Sequence, residues 1–211
     1  MADIEYFYSA HSAFAYLGSA RFMEIVQAGG HRIVHKPFEL GPAIEAGGAG
    51  STRARSSAHR AYYFGREIQR WSEERNAPVV DGIPTHHYND MALANGMLIA
   101  CDRQGVDTDR LAHCLLEAHW KDDADLAARE TLAWLAQTVD IDPGPLLDAA
   151  LSDEIQAIYQ ANTQEAVDRS VFGSPTYFVA GDMFYGQDHL EMVERALVKP
   201  YVGTWPPPAG E

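Results

Sequence analysis

The sequence predicts an α/β protein in which one small sheet is assembled from both ends of the chain around a large helical insertion. Three observations carry this. The first forty residues read strand, helix, strand; a long middle stretch has helical spacing and no strand signal; strand signals return only at Thr176.

Asp3–Ser9 (DIEYFYS) has aromatic and branched residues bounded by polar ones, the pattern of a strand. Ser12 is placed to cap a helix over Ala13–Gln27, where Phe14, Leu17, Phe22, Ile25 and Val26 recur on one face. Gly29–Gly30 ends it. His31–Phe38 reads as a second strand, parallel to the first through a right-handed crossover. Residues 43–57 are small and rich in Gly and Ser, a loop or short helical pieces. Helices are expected over Ala58–Asn76, Met91–Gln104, Asp107–Trp120, Asp125–Thr138 and Pro145–Ser170. Thr176–Val179 and Met183–Tyr185 are then two short strands joined at Ala180–Gly181–Asp182. A last helix follows over Asp188–Val198. Two half-sheets split by helices is the thioredoxin-like arrangement with a large inserted all-helical domain. Its expected division is 1–42 with 171–200 for the sheet domain, 43–170 for the insertion and 201–211 for an exposed tail.

The 211 residues, 46% of them apolar, supply a core. Sixteen basic against 30 acidic residues give a net charge of −14, which argues against nucleic acid and anionic membrane as partners. Neither a basic-then-apolar leader nor a membrane-length apolar run is present, so a cytoplasmic location is expected. Cys101 and Cys114 lie on apolar helix faces and read as reduced core thiols; neither belongs to a C-x-x-C pair.

The chemistry is concentrated at two places. The first strand delivers the chain to His11–Ser12 at a helix N-terminus, where free N–H groups and the helix dipole favour an anion. Far downstream, Phe172–Gly173–Ser174–Pro175 leads into the third strand, and proline at a strand start suits an edge position. A cis bond there would hold the backbone of Ser174 ready to pair with an extended, peptide-like ligand. No sulfur stands near Ser12, so any reactive thiol must arrive with a ligand. Lowering a thiol from its ordinary ~8.5 by about two units takes roughly 2.7 kcal/mol. One charge-assisted hydrogen bond of ~1.5–3 kcal/mol and a dipole contribution of ~0.3–1 supply that.

Several motifs carry a family resemblance: SAFAYL at Ser12–Leu17, KPFELG at Lys36–Gly41, and the R-x-x-Y-x-x-x-E-x-x-R-W pattern over Arg60–Trp71. PTHHYND at Pro84–Asp90, VFGSPTYFV and FYGQD complete the set. With these the chain resembles the 2-hydroxychromene-2-carboxylate isomerases, relatives of kappa-class glutathione transferases in the Dsb-type superfamily. The resemblance implies glutathione as cofactor, with its sulfur beside Ser12 as the catalytic residue. It implies that Ser174, before a cis Pro175, pairs with the cysteinyl unit while Gln187 and Asp188 hold the γ-glutamyl end. The implied reaction is reversible thiolate addition to an aromatic carboxylate substrate with bond rotation; a homodimer is implied by resemblance alone. Ala13, Gly48 and His87–Tyr88 depart from the family pattern.

Lesser candidates for substrate contact are His11, Lys36 at the end of strand two, and His86 and Tyr88 before a helix. Arg53, Arg55 and Arg60 are candidates for an anionic ligand, and His31 and His35 read as structural. Adjacent histidines without a second spaced pair make a poor metal site, so no metal is expected. The glycine run 47–52 lacks the lysine of a phosphate loop. The rival functions are a kappa-like transferase conjugating electrophiles and a redox-inactive binding protein using the Pro175 edge.

Overall fold

A computed structural model describes residues 1–48, 55–203 and 205. Arg53 and most of the 47–52 glycine run lie outside the described residues. Four strands, β1 (Asp3–Tyr8), β2 (Arg32–Pro37), β3 (Thr176–Val179) and β4 (Asp182–Tyr185), form one sheet in the order β2-β1-β3-β4. β1 and β2 are parallel, and β3 is antiparallel to both of its neighbours, β1 and β4. This is the expected thioredoxin-like sheet, with the helical insertion between its halves. The register sets Phe7 opposite Thr176, so the end of β1 and the beginning of β3 lie side by side. Everything chemical follows from that adjacency.

Between β1 and β2 runs α1 (Ala13–Gly29), capped by the Ser12 side chain, which accepts from the Ala15 N–H, and ended by Gly30 at φ +61°. The alternation of β1 divides the interior. Ile4, Tyr6 and Tyr8 join the larger core with α1, while Phe7 packs with Phe38, Val171 and Phe178 on the other face. Arg169 closes that second face by lying over the Phe178 ring, 3.7 Å from its centroid, while its guanidinium holds Glu5.

The insertion contains α2 (Leu40–Ala46), α3 (Ser57–Arg60) and α4 (Ile68–Glu74), the last two joined by a π-helical stretch over Ala61–Glu67. It continues with α5 (Ala92–Arg103), α6 (Thr108–Asp122) and α7 (Arg129–Thr138). The helix expected over Pro145–Ser170 is two, α8 (Pro143–Ala150) and α9 (Asp153–Asp168). Ser152 breaks the run by capping α9 through the Ile155 N–H, with Asp153 and Glu154 in the favourable first turn. Asp123 ends α6 at φ +57° and clamps the Thr85 N–H and hydroxyl, and the helix expected from Asp125 begins only at Arg129. A 3₁₀ turn (Gln187–His189) leads into α10 (Leu190–Val198). The expected tail is not free at its start: Tyr201 packs on Phe184 and beneath Arg195.

Candidate functional site

The adjacency of β1 and β3 brings the α1 N-terminus against the proline segment. The Ser174–Pro175 bond is cis. The Ser12 hydroxyl, buried, donates to the Ser174 carbonyl at 3.1 Å while accepting from the Ala15 N–H at 3.3 Å. Ser174 returns the contact, its Oγ accepting from the Ser9 N–H at 3.2 Å. The first turn of α1 contains no acidic residue, and among the described residues its Ala13 and Phe14 N–H groups have no protein acceptor. A buried hydroxyl, two free N–H groups and the dipole of a 17-residue helix thus converge without a resident anion. That is an environment suited to a negatively charged sulfur or oxygen.

The proline segment is shaped by its neighbours. A Cβ on Gly173 would sit 3.0 Å from the Tyr185 hydroxyl, so any side chain there would have to displace that ring. The Gly173 carbonyl accepts from Thr176 Oγ1, and Phe172, partly exposed, meets Tyr185 edge-on. Opposite stands a wall from the π-helical stretch. Tyr63 packs on Phe14 at 4.9 Å and stacks with His59, and Arg55 lies over Tyr63 and Phe64 at 5.9 and 6.0 Å. Burial pushes the Tyr63 phenol upward, and its contacts with Tyr185 and Asp188 reinforce the shift. Tyr63 was legible only as the tyrosine of the Arg60–Trp71 pattern. Gly48 stands at φ +77°, and among the described residues no atom lies within 4 Å of where its Cβ would be.

Four expected residues take other positions. Gln187 is fully buried against α1; its Oε1 accepts from Arg75 Nε at 3.1 Å, and Arg75 also donates to its carbonyl. These bonds tie it to the end of α4, while its amide nitrogen is buried without a hydrogen-bond partner among the described residues. Lys36 is paired with Glu165 on α9 at 2.9 Å, because Phe7, its β1 neighbour, faces the same side as that helix. His86 leans on Asp125 at 3.5 Å, and Tyr88 is 83% exposed. Asp188 remains at the rim, exposed and beside His189.

His11 is where the sequence undercounted. Its ring meets His87 at 4.9 Å, His87 stacks on His119 at 5.5 Å, and Trp120 donates its indole N–H to the His11 carbonyl at 2.8 Å. On its other side His11 Nδ1 bonds Ser9 Oγ at 3.0 Å, and Ser9 is tied to the fully buried Asn95. Burial lowers His11 to about 3 and His87 to about 4, each also disfavoured by neighbouring imidazoles. The cluster is therefore neutral at physiological pH. No group of three potential ligands suited to a metal occurs among the described residues.

Both cysteines lie away from this pocket, on α5 and α6, as free thiols whose burial raises them. No helix among the described residues is long and apolar enough to cross a membrane.

Comparison with known proteins agrees with the motifs. A 2-hydroxychromene-2-carboxylate isomerase of Pseudomonas sp. (strain C18) is 25% identical over 194 residues, 92% of this chain and 89% of that protein. One from Pseudomonas putida is 24% identical over 196 residues, 92% of this chain and 93% of its own. Among solved structures, a 2-hydroxychromene-2-carboxylate isomerase superposes with a TM-score of 0.78 at 22% identity, covering 93% of this chain and 94% of that one. The cytosolic disulfide reductase DsbM from Pseudomonas aeruginosa with GSH superposes at 0.62 and 13% identity, covering 94% and 93%. The DSBA-like thioredoxin domain itself matches over residues 3–198, nearly the whole sequence, and the chain belongs to that family.

Proposed function

We propose that this protein is a glutathione-dependent isomerase acting on an aromatic carboxylate of the 2-hydroxychromene-2-carboxylate type. The observation that carries the reading is the Ser12 hydroxyl facing the Ser174 carbonyl at the N-terminus of α1, where redox members of the fold would place a cysteine. Curated relatives of that isomerase name support it.

The pocket fits the cofactor by its donor set: a backbone carbonyl at Ser174, a hydroxyl at Ser12, free N–H groups at Ala13 and Phe14, and a carboxylate at Asp188 for an ammonium. Glutathione, when bound, would supply the thiolate nucleophile that this site lacks. Ser12 is the switchable element. Its hydroxyl now donates to the Ser174 carbonyl, the acceptor that a peptide N–H of an extended ligand takes. Docking such a ligand frees the hydroxyl to turn toward sulfur, so binding and thiolate stabilisation are linked through one hydrogen bond. Phe14 and Tyr63 offer an aromatic face, and Arg55 a positive charge for a carboxylate. That aromatic wall would also receive the electrophile of a kappa-like transferase, and net thiol consumption distinguishes the two.

Calorimetry with reduced glutathione tests the reading, together with turnover of a 2-hydroxychromene-2-carboxylate. Binding and glutathione-dependent turnover are expected, with turnover lost in Ser12→Ala. Absence of binding leaves only a redox-inactive binding protein, and full turnover in Ser12→Ala removes Ser12 from the mechanism. Asp188→Ala weakens glutathione by about 1–3 kcal/mol; an unchanged dissociation constant refutes the clamp.

A further inference from the structure

Two chains of hydrogen bonds, each anchored on a backbone group whose role is fixed, determine which ring nitrogens of the histidine cluster carry protons. The Ala10 N–H can only donate, and it bonds Asn95 Oδ1 at 3.0 Å. The other end of Asn95 is therefore its amide nitrogen, which donates to Ser9 Oγ at 3.3 Å and to Tyr159 at 3.1 Å. Ser9 is buried, so its hydroxyl proton must find a protein acceptor, and the one available among the described residues is His11 Nδ1 at 3.0 Å. His11 is thus protonated on Nε2. From the other side, the Ala124 carbonyl can only accept, so His119 Nδ1 carries the proton of their 3.0 Å bond. His119 Nε2 is then a lone pair, and His87 Nδ1 must donate to it across 3.2 Å. His87 is left with a lone pair on Nε2.

We infer that His11 and His87 form a polarised pair of imidazoles at the pocket, His11 Nε2–H donating to the keto oxygen of a bound aromatic 2-oxo acid and His87 Nε2 accepting from a hydroxyl beside it. Among the described residues each ring makes its protein hydrogen bond through Nδ1, and Nε2 of each, which has no protein partner, is not among the fully buried unpartnered atoms, so a ligand can reach it. His11 adjoins Ser12 in the chain, and the Trp120 bond to its carbonyl holds the turn that presents it. Burial and the imidazole neighbours keep both rings uncharged. A neutral donor suits an oxygen that gains negative charge, because it stabilises the charge without surrendering its proton. The inference rests on the aromatic-carboxylate reading above and adds the residues that recognise the keto acid.

Nitrogen-15 histidine spectra of the whole protein near neutral pH test the tautomers without any ligand. His11 is expected as Nε2–H and His87 as Nδ1–H; the reverse assignment, or a protonated ring at either position, overturns the inference. Titration with phenylpyruvate then reads recognition. The His11 Nε2–H resonance is expected to move, and His11→Leu to weaken binding about tenfold, one hydrogen bond's worth. His11→Gln, which retains a side-chain N–H donor, is expected to restore most of the affinity. Phenylpyruvate binding that leaves His11 unmoved, or binding as tight in His11→Leu, overturns it. A protein that binds reduced glutathione but not phenylpyruvate refutes this inference alone. One that binds phenylpyruvate through His11 but not glutathione refutes the cofactor reading alone.

Discussion

Replacing Ser12 by cysteine converts the proposed electrostatics of the α1 N-terminus into a directly measurable pKa. The new sulfur would occupy the place of a hydroxyl that already accepts from the Ala15 N–H at 3.3 Å. Made to a thiolate, that bond is charge-assisted and contributes about 1.5–3 kcal/mol. The dipole of α1, with no acid in its first turn to offset it, adds about 0.3–1 kcal/mol. Burial of the site opposes both by about 1–2 kcal/mol, and the neutral His11 ring next to it brings no cation. Taken at the middle of each range the balance is about 1.4 kcal/mol, which lowers the thiol by about one unit, from ~8.5 to about 7.5. Ultraviolet absorbance of the thiolate against pH reads this without interference. Burial holds Cys101 and Cys114 above the ordinary thiol range, outweighing the opposing influence of Thr108 and Thr138 beside them. If the thiol introduced by Ser12→Cys titrated at or above the ordinary ~8.5, the pocket would not favour an anion, and the thiolate mechanism would fall with it.

Asn95→Leu strands the Ala10 N–H and removes donors to Ser9 and Tyr159 in a fully buried place, so urea unfolding is expected to show a loss of about 2–4 kcal/mol; a change under about 0.5 kcal/mol would mean water replaces it. Gly96→Ala gains about 1 kcal/mol of helix propensity, yet its Cβ would lie 2.2 Å from the Ala150 carbonyl. Overpacking α5 against α8 costs about 1–3 kcal/mol, so a lower melting temperature is expected, and a raised one would refute the close contact. His11 and His87 have folded pKa values of about 3 and about 4, below the unfolded ~6.5. The folded state therefore binds fewer protons, and their stabilisation is complete above pH ~6.5 and lost as pH falls toward the folded values. The unfolding free energy from urea titrations, and with it the midpoint, should drop between about pH 6.5 and 4.5, the free energy by at most about 1.4 kcal/mol per pH unit for each ring, and His87→Phe should flatten the decline. A midpoint constant over that range contradicts the burial of both imidazoles.

The parts of the fold that were readable in the sequence are those decided locally. The Ser12 cap, the Gly30 stop and the Thr176–Val179 strand each follow from a few contiguous residues, whereas that β1 rather than β2 pairs with β3 is seen only in the structure. The break inside Pro145–Ser170 was written there too, as Ser152 followed by two acids, but the surrounding apolar spacing runs through it and hides the cap. Side-chain destinations were harder. Gln187 and Lys36 sit where the motif and strand end put them, yet Arg75 and Glu165, from distant parts of the chain, engage the amide oxygen of the one and the ammonium of the other. The histidine cluster was least accessible of all. His11, His87 and His119 come from a turn, a loop and the end of α6, and only the closed fold stacks them.

That cluster also resolves an apparent conflict in the charge of the molecule. A net charge of −14 repels an anionic ligand, but at physiological salt the field of surface carboxylates decays over about 8 Å. Inside the pocket the groups within hydrogen-bond reach decide, and here they are arranged to leave positive potential unspent. The first turn of α1 has no acid, and the nearest imidazoles are neutral donors and acceptors rather than cations already paired with protein carboxylates. A cationic histidine at position 11 would have drawn one of the many carboxylates into the site and cancelled the dipole. On the proposed function, a neutral ring there keeps the helix terminus for a ligand's charge, and Asn95 contributes by holding Ser9 and Ala10, the residues that lead into His11 and Ser12.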